Sequence, residues 1–501
     1  MLRPALFVGF TLAAAHAAAH ASGQDAAEPR RSPNVVLFMA DDLGWGEVGA
    51  YGQTKIRTPA MDRVADEGMR FTRAYSGSPV CAPSRCTLLG GLHTGHSIVR
   101  NNWEGGGWGR DAVEGQYPLP EGTPSLQSTL RAAGWATGGM GKWGLGGPGT
   151  SGAPELQGFD HFLGVLCQRV AHNFYPTHLW SDGERLDLVG NEWFSAHQKI
   201  DAPLEDEAEY ARRYTGTTYA TEPMIDAALE FVRAHREQPF FLYYPTPLPH
   251  VALQVPEPYV DAYPREWDTE AAGGGPYLGQ DGYLPHPRPR AAYAGMISRA
   301  DEELGRILDL LDELELAGDT IVIVTSDNGP TYAGGVDHEF FDSAGGLRGL
   351  KGSLYEGGIR VPFMVRWPGQ VAAGSASDQP LYFPDVAPTV AALVGIDWSA
   401  ATDGVSVAPT LLGQGVQQPR DYMYWEHGPK QALIAGPWKL LRTELRSPSP
   451  TVELYRLDRD PSESTDLAES EPQVRELLLG LLRGAHVPSQ PFPLPLADDG
   501  Q

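Results

Sequence analysis

Two stretches of this chain are apolar at almost every position and end in the same way. Asn34-Val35-Val36-Leu37-Phe38-Met39-Ala40 stops at Asp41-Asp42, and Thr320-Ile321-Val322-Ile323-Val324-Thr325-Ser326 stops at Asp327-Asn328-Gly329. A run without polar alternation predicts a strand covered on both faces, as in a parallel sheet flanked by helices. Shorter runs at 135–140, 239–244 and 362–366 predict further strands, the first of which delivers Lys142 at its end. Between them lie helical segments with matching punctuation. Thr58-Pro59 opens one that Gly68 closes, and Thr123-Pro124 opens another that Gly134 closes. Residues 223–235, 291–316 and 385–394 form three more, the last two stopped at Gly318 and Gly395. A polar cap, proline at the first helical position and glycine after the last turn are the expected start and stop signals. Residues 87–92 are also predicted to open a helix. Two segments are loop-rich, 144–219 and the proline- and glycine-rich insertion 256–290.

From about residue 421 the pattern changes to short alternating strands at 422–426, 431–435, 438–442 and 452–455, followed by a helix at 472–482. The chain therefore predicts an α/β fold: a large, mostly parallel sheet flanked by helices over 33–415, and a small antiparallel sheet plus helix over 416–490. The 501 residues, 42% hydrophobic and 20% charged, suit one large core with a smaller companion.

The net charge of -25 argues against nucleic acid as a partner and against general attraction to anionic membranes. The N-terminus changes the compartment. Arg3, an Ala-rich apolar run over 5–19 and Ala19-His20-Ala21 read as a cleaved signal over 1–21, so the protein is expected to be exported, to a periplasm or beyond. The run is too short for a membrane span. Cys81, Cys86 and Cys167 are too few for a disulfide framework, although Cys86 and Cys167 could pair in an oxidising compartment.

In open α/β sheets ligands bind beyond the carboxyl ends of the strands, where Asp41, Asp42, Asp327 and Asn328 are expected. Two carboxylates about 4 Å apart repel by roughly 4 kcal/mol at an effective dielectric near 20. Three together need a cation or raised pKa values. An oxygen-only donor set favours calcium or magnesium over zinc. The other reading of each pair is a helix or turn cap, a common use of Asp-Asn-Gly.

Cys81-Ala82-Pro83-Ser84-Arg85 resembles the maturation signature of the type I sulfatases, and the resemblance extends to the Leu454-Tyr455 and Asp460-Pro461 region. It implies an alkaline-phosphatase-like α/β fold and a formylglycine made from Cys81 by a formylglycine-generating enzyme. The hydrated aldehyde of that residue would attack the sulfur of a sulfate ester. It further implies a calcium ion held by Asp41, Asp42, Asp327 and Asn328 and touching the modified Cys81. Arg85 falls one helical turn beyond Cys81 and suits a permanently charged fork beside the nucleophile. Lys142 in Gly141-Lys142-Trp143, His250 after Pro249, and Lys351 before Tyr355-Glu356-Gly357-Gly358 match family positions that hold sulfate and move protons.

One position departs from the family pattern: Gly144 stands where a histidine commonly follows the lysine by two residues. His172, in Ala171-His172-Asn173, is the candidate replacement, with a hydrogen-bonded loop histidine as the other reading. His93 and His96 are read as structural. The expected substrate is a sulfated small molecule or, given export and a loop-rich rim, a sulfated saccharide. Trp103, Trp108 and Asp337-His338-Glu339 are candidate sugar contacts. Two rivals remain at this level: a phosphoester hydrolase on the same fold, and a sulfated-glycan binding protein that lost catalysis at Gly144.

Overall fold

The computed structural model describes residues 32–204, 206–269 and 276–495. The expected signal over 1–21 lies outside the described residues. Ten strands form one mixed sheet, in the order 375–377, 69–71, 363–366, 320–326, 34–40, 240–245, 136–142, 161–165, 178–181, 184–187. Its centre is parallel: Asn34–Ala40 pairs with Phe240–Pro245 on one side and Thr320–Ser326 on the other. Both apolar runs are thus central strands, and their lack of alternation has a direct cause. Val36, Phe38 and Ala40 join a core with helices Pro59–Asp66, Thr221–Ala234 and Pro289–Glu313. Val35, Leu37 and Met39 face the opposite core with helices Cys81–Gly90, Leu126–Ala132 and Val386–Val394. Successive side chains point to opposite faces, so a strand buried on both sides is apolar through its middle and keeps polar residues to its ends.

The C-terminal strands Met423–His427, Lys430–Ala435, Trp438–Thr443 and Thr451–Arg456 form a separate antiparallel meander. Tyr424, Leu433, Leu440 and Leu454 pack under helix Pro472–Gly484. The opposite face, with Trp425, Ala432, Ile434 and Leu441, meets Tyr75, Leu354, Ile359 and Tyr382 of the large sheet's surroundings.

Two helix readings are corrected. The segment expected to open at Thr87 begins instead at Cys81 and runs to Gly90, with Gly91 in the left-handed region at φ 73° as its stop. Pro83 sits in the first turn, where its missing N–H costs nothing. The helix expected after Thr123-Pro124 is capped by Ser125, whose side chain accepts from the Ser128 N–H, and it starts at Leu126. Cys86 and Cys167 are free thiols, as is Cys81, and all three are buried. Among the described residues no helix is long and apolar enough to cross a membrane.

Candidate active site

The register of the central strands assembles the site. Ala40 is paired with Ser326, and the Asp327 N–H donates to the Ala40 carbonyl at 3.1 Å, so Asp41-Asp42 and Asp327-Asn328 leave the sheet side by side. The Asp42 N–H donates to Asp327 Oδ1 at 3.1 Å and the Leu43 N–H to Ser326 Oγ at 2.9 Å. Asp42 adopts φ 68°, which turns the chain sharply and presents both carboxylates to one space. Aspartate tolerates that left-handed conformation better than most residues.

Helix Cys81–Gly90 brings the next two groups. Its first residue, Cys81, directs its thiol at Asp41 Oδ1, 3.3 Å away. Arg85, four residues on, lies on the same helix face, with side-chain exposure of 0%. Its Nε and Nη2 donate to Asp327 Oδ2 at 3.2 and 2.7 Å, and its Nη1 donates to the Lys142 carbonyl at 2.5 Å. Lys142, at the end of strand Ala136–Lys142, donates to Asp41 Oδ2 at 2.5 Å. Lys351 donates to Asp42 Oδ2 at 2.7 Å and to His250 Nε2 at 2.9 Å. Its side chain is 17% exposed while its carboxylate partner is wholly buried, which makes Lys351 the cation at the mouth.

Three carboxylates therefore face three cations, and this tempers the expectation that the acids require a metal to coexist. Burial alone would raise the Asp41 pKa, but Lys142, with His250, Arg85 and Lys351 behind it, holds it well below the usual carboxylate range. Asp327 is pushed up to about 7 by burial and by the charge of Asp41, against the pull of Arg85. Burial, then the Asp41 charge, pushes the Cys81 thiol far above its ordinary value. An unmodified Cys81 is thus a neutral thiol and a poor nucleophile. His250 falls to about 3 through burial and the neighbouring Lys351 charge. It is neutral, with Nδ1–H donating to the Val251 carbonyl at 2.5 Å, so its Nε2 lone pair faces Lys351.

The donor set fits a hard divalent cation. Asn328 Nδ2 donates to Asp42 Oδ1 at 2.8 Å and to the Gly329 carbonyl, while the buried Asn328 Oδ1 has no hydrogen-bond partner. A buried acceptor left unpaired beside carboxylates is a ligand atom of the kind such an ion takes up. Ligand atoms of Asp41, Asp42, Cys81 and His250 lie within 4.8 Å of one another. Asp327 borders this group with Oδ2 committed to Arg85. A cation bound there would add positive charge to a balanced cluster, and so would favour an anionic substrate.

The sulfatase family pattern matches residues 33–396, and that of the N-sulphoglucosamine sulphohydrolase C-terminal region matches 338–482. The chain belongs to the sulfatase family. It is an enzyme of the sulfuric ester hydrolase class. An N-acetylgalactosamine-6-O-sulfatase of Bacteroides thetaiotaomicron is 30% identical, with 91% of this chain and 93% of that one covered. A solved structure concerning glycosaminoglycan metabolism by the same bacterium superimposes with a TM-score of 0.69 at 26% identity, over 91% of this chain and 99% of that one. A phosphonate monoester hydrolase of Agrobacterium radiobacter, 21% identical, shares the fold at a TM-score of 0.60, over 91% and 96% of the two chains. The fold is therefore alkaline-phosphatase-like, and fold alone does not select sulfur over phosphorus.

In this sulfatase His172 packs against His250. Its ring stacks on that of His250 with centroids 3.9 Å apart, and its Nδ1 meets His197 Nε2 at 2.8 Å. The space a side chain at position 144 would enter is taken by Gln168. An ideal Cβ on Gly144 would fall 1.7 Å from Gln168 Nε2. No pattern along the chain marks Gln168; only the pairing of residues 143–144 with 165–166 brings it there.

Of the candidate sugar contacts, Trp103 stacks on Tyr117 and lines a separate hollow with Phe492. Trp108 lies 4.2 Å under the Arg169 guanidinium in a small pocket that also holds Trp193 and His197. Asp337 is bound by Arg290, while His338 and Glu339 join Tyr332, Lys430 and Lys351 in an open cleft of about 600 Å³. His93 and His96 meet at Asp403. His93 Nδ1 accepts from the Gly95 N–H, so its proton resides on Nε2, facing Asp403. That Nε2 lies 3.7 Å from Asp403 Oδ2 and makes no hydrogen bond.

Proposed function

We propose that this sulfatase hydrolyses sulfate monoesters of a sulfated saccharide through a formylglycine made from Cys81. The observation that carries the reading is the placement of Cys81 at the head of a buried helix, 3.3 Å from Asp41 and one turn from Arg85. Oxidation of the thiol carbon to an aldehyde, followed by hydration, would give two hydroxyls at that point. One attacks sulfur, its proton passing by way of Asp41 to solvent, while the bond from sulfur to the alcohol oxygen breaks. Arg85 and Lys142 hold the charge of the sulfuryl group, and the departing oxygen takes a proton from Lys351, the member of the Lys351–His250 pair that carries it. The same pair, now one proton short, removes the proton of the second hydroxyl. The carbon–oxygen bond to sulfate then breaks, sulfate leaves and water rehydrates the aldehyde. In this scheme one proton donor reloads itself, so the cycle closes without a histidine at position 144.

Asp41, Asp42, Asp327 and Asn328 would hold calcium, which supplies charge neutralisation to the nucleophile and to a sulfate oxygen when bound. Substrate class rests on relatives: the Bacteroides thetaiotaomicron enzyme is named for N-acetylgalactosamine 6-O-sulfate. The open cleft beside Lys351 has room for a saccharide extending from the ester. Export through the 1–21 signal would place the enzyme where such polymers occur, matured by a formylglycine-generating enzyme.

The test is co-expression with that maturation enzyme, mass analysis of the Cys81 peptide, and sulfate release from a panel of 6- and 4-sulfated N-acetylhexosamines, aryl sulfate and the matching phosphate esters. The expected outcome is conversion of Cys81 to the aldehyde and release from at least one sulfated sugar. Full release by Cys81→Ala, or faster cleavage of the phosphate series, would sink the reading.

A further inference from the structure

Gln168 is an unusual residue to find at this depth. It is 2% exposed, and neither its Oε1 nor its Nε2 has a hydrogen-bond partner. A buried carboxamide without partners is destabilising, and an apolar side chain of the same shape would avoid that cost. The backbone around it is not loose. The Gln168 N–H donates to Gln116 Oε1 at 3.1 Å, and the Trp143 and Gly144 N–H groups donate to the Val165 and Leu166 carbonyls at 2.9 and 3.0 Å. These bonds continue the parallel ladder past Lys142 and hold residues 144 and 168 against each other.

The side chain occupies a defined place. Residue 144 follows Lys142 by two, just beyond the end of the strand that delivers Lys142. Gly144 has φ 85°, and its absent Cβ would overlap Gln168 Nε2 at 1.7 Å and Cδ at 2.8 Å. Glycine at 144 and the carboxamide of Gln168 are therefore two halves of one arrangement: the glycine makes the space and the amide fills it. The same loop carries Arg169 over Trp108 and His172 against His250.

Resting on the reading of the site as a sulfate-ester hydrolase, we propose that Gln168 contacts substrate, its Nε2 donating a hydrogen bond to a non-bridging sulfuryl oxygen. An amide does not titrate in the working range, so this residue is no replacement for a base. As a neutral donor it strengthens its bond as charge builds on the sulfuryl oxygens in the transition state. Its unpaired donor is then the counterpart of a ligand atom.

The experiment uses the mature, formylglycine-bearing enzyme and compares wild type with Gln168→Leu and Gln168→Ala on whichever sulfated sugar the panel identifies. Gln168→Leu keeps the volume and removes the donor. The expected result is kcat lower by about 10²-fold, the loss typical of one transition-state donor, with KM changed less than about threefold. Thermal stability of Gln168→Leu is expected to equal or exceed that of wild type, whereas a purely structural amide would lower stability and leave the kcat of the folded fraction intact. Wild-type kcat in Gln168→Leu overturns this proposal and leaves the sulfatase reading standing. Failure of mature wild type to release sulfate from any ester overturns both.

Discussion

Two buried charge clusters lie close together in this molecule, and they are built on opposite plans. In the first, Asp41, Asp42 and Asp327 meet Arg85, Lys142 and Lys351 at the carboxyl ends of the central strands. In the second, Lys439 of the C-terminal sheet lies between Glu356 at 3.0 Å and Glu463 at 2.9 Å. Glu356 Oε2 also accepts from Tyr75 at 2.9 Å, and the Glu356 N–H donates to Glu463 Oε2 at 2.6 Å. In the second, closed cluster both acids meet the one lysine, Glu463 Oε1 as an ion pair without a hydrogen bond. The first leaves Asn328 Oδ1 and the Gln168 carboxamide without partners. Burying charge is costly in both, so the difference lies in what each cluster leaves unsatisfied. The closed cluster fastens the small sheet to the segment that carries Lys351 five residues before Glu356. The open one keeps ligand atoms in reserve for an ion and a sulfate ester.

The most forceful way to break this contrast is to remove an acid from the open cluster. Asp41→Ala deletes the group that meets both Cys81 and Lys142. We expect sulfate release to fall at least about 10³-fold, because several kcal/mol of transition-state charge stabilisation is lost. The melting temperature should fall as well, because the buried Lys142 loses its carboxylate partner, so release is read per folded molecule. Activity within tenfold of wild type would show that the open cluster is not the reacting centre. Chelation sharpens the same point: a strong calcium chelator should abolish turnover, and added calcium should restore it and raise the melting temperature. Turnover unaffected by exhaustive chelation would remove the ion from the account.

The closed cluster should respond in the reverse way. Lys439→Met leaves Glu356 and Glu463 facing each other without a cation, and breaking a buried pair in this fashion costs about 3–5 kcal/mol. Urea unfolding would read that loss. Sulfate release per folded molecule should stay within a factor of about three, provided the assay temperature is below the transition. A variant that keeps full stability would mean that the two clusters do not differ in kind.

How much of this was legible in the chain follows the same division. The open cluster's acids announce themselves, because Asp41-Asp42 and Asp327-Asn328 interrupt two runs that are otherwise apolar. The fold's central strands come from the same runs, and the C-terminal sheet from its alternation. Lys142, His250 and Lys351 are ordinary residues in sequence and stood out only by family resemblance. The helix starts at Cys81, ahead of Thr87, with Pro83 at home in its first turn. Gln168 had no signal of its own: its meaning depends on glycine at 144 and on a ladder joining segments 24 residues apart. Lys439, Glu356 and Glu463 were equally silent, being single charges in three distant segments that only tertiary packing brings together.

The smallest expected effect concerns the proton on Glu463. One lysine cannot neutralise two carboxylates fully, and burial, then the nearby Glu356, pushes Glu463 from its ordinary 4.5 up to about 7 against the pull of Lys439. The sign follows from which state holds the proton. A carboxyl group whose pKa is raised by folding binds its proton more tightly in the native state, so its contribution to stability is complete below pH 4.5 and is lost as the pH climbs to about 7. At 1.36 kcal/mol per unit, that loss is at most about 3 kcal/mol. Glu463→Gln cannot lose the proton. Its stability relative to wild type should therefore rise by up to that amount between pH 4.5 and 7.5 and level off above, as measured by denaturant unfolding across the series. Parallel pH profiles for the two proteins would mean that Glu463 is ionised throughout, with Lys439 serving both carboxylates at once. The closed cluster would then carry a net negative charge in the interior, and its tolerance of that charge, instead of its neutrality, would be the feature that separates it from the active site.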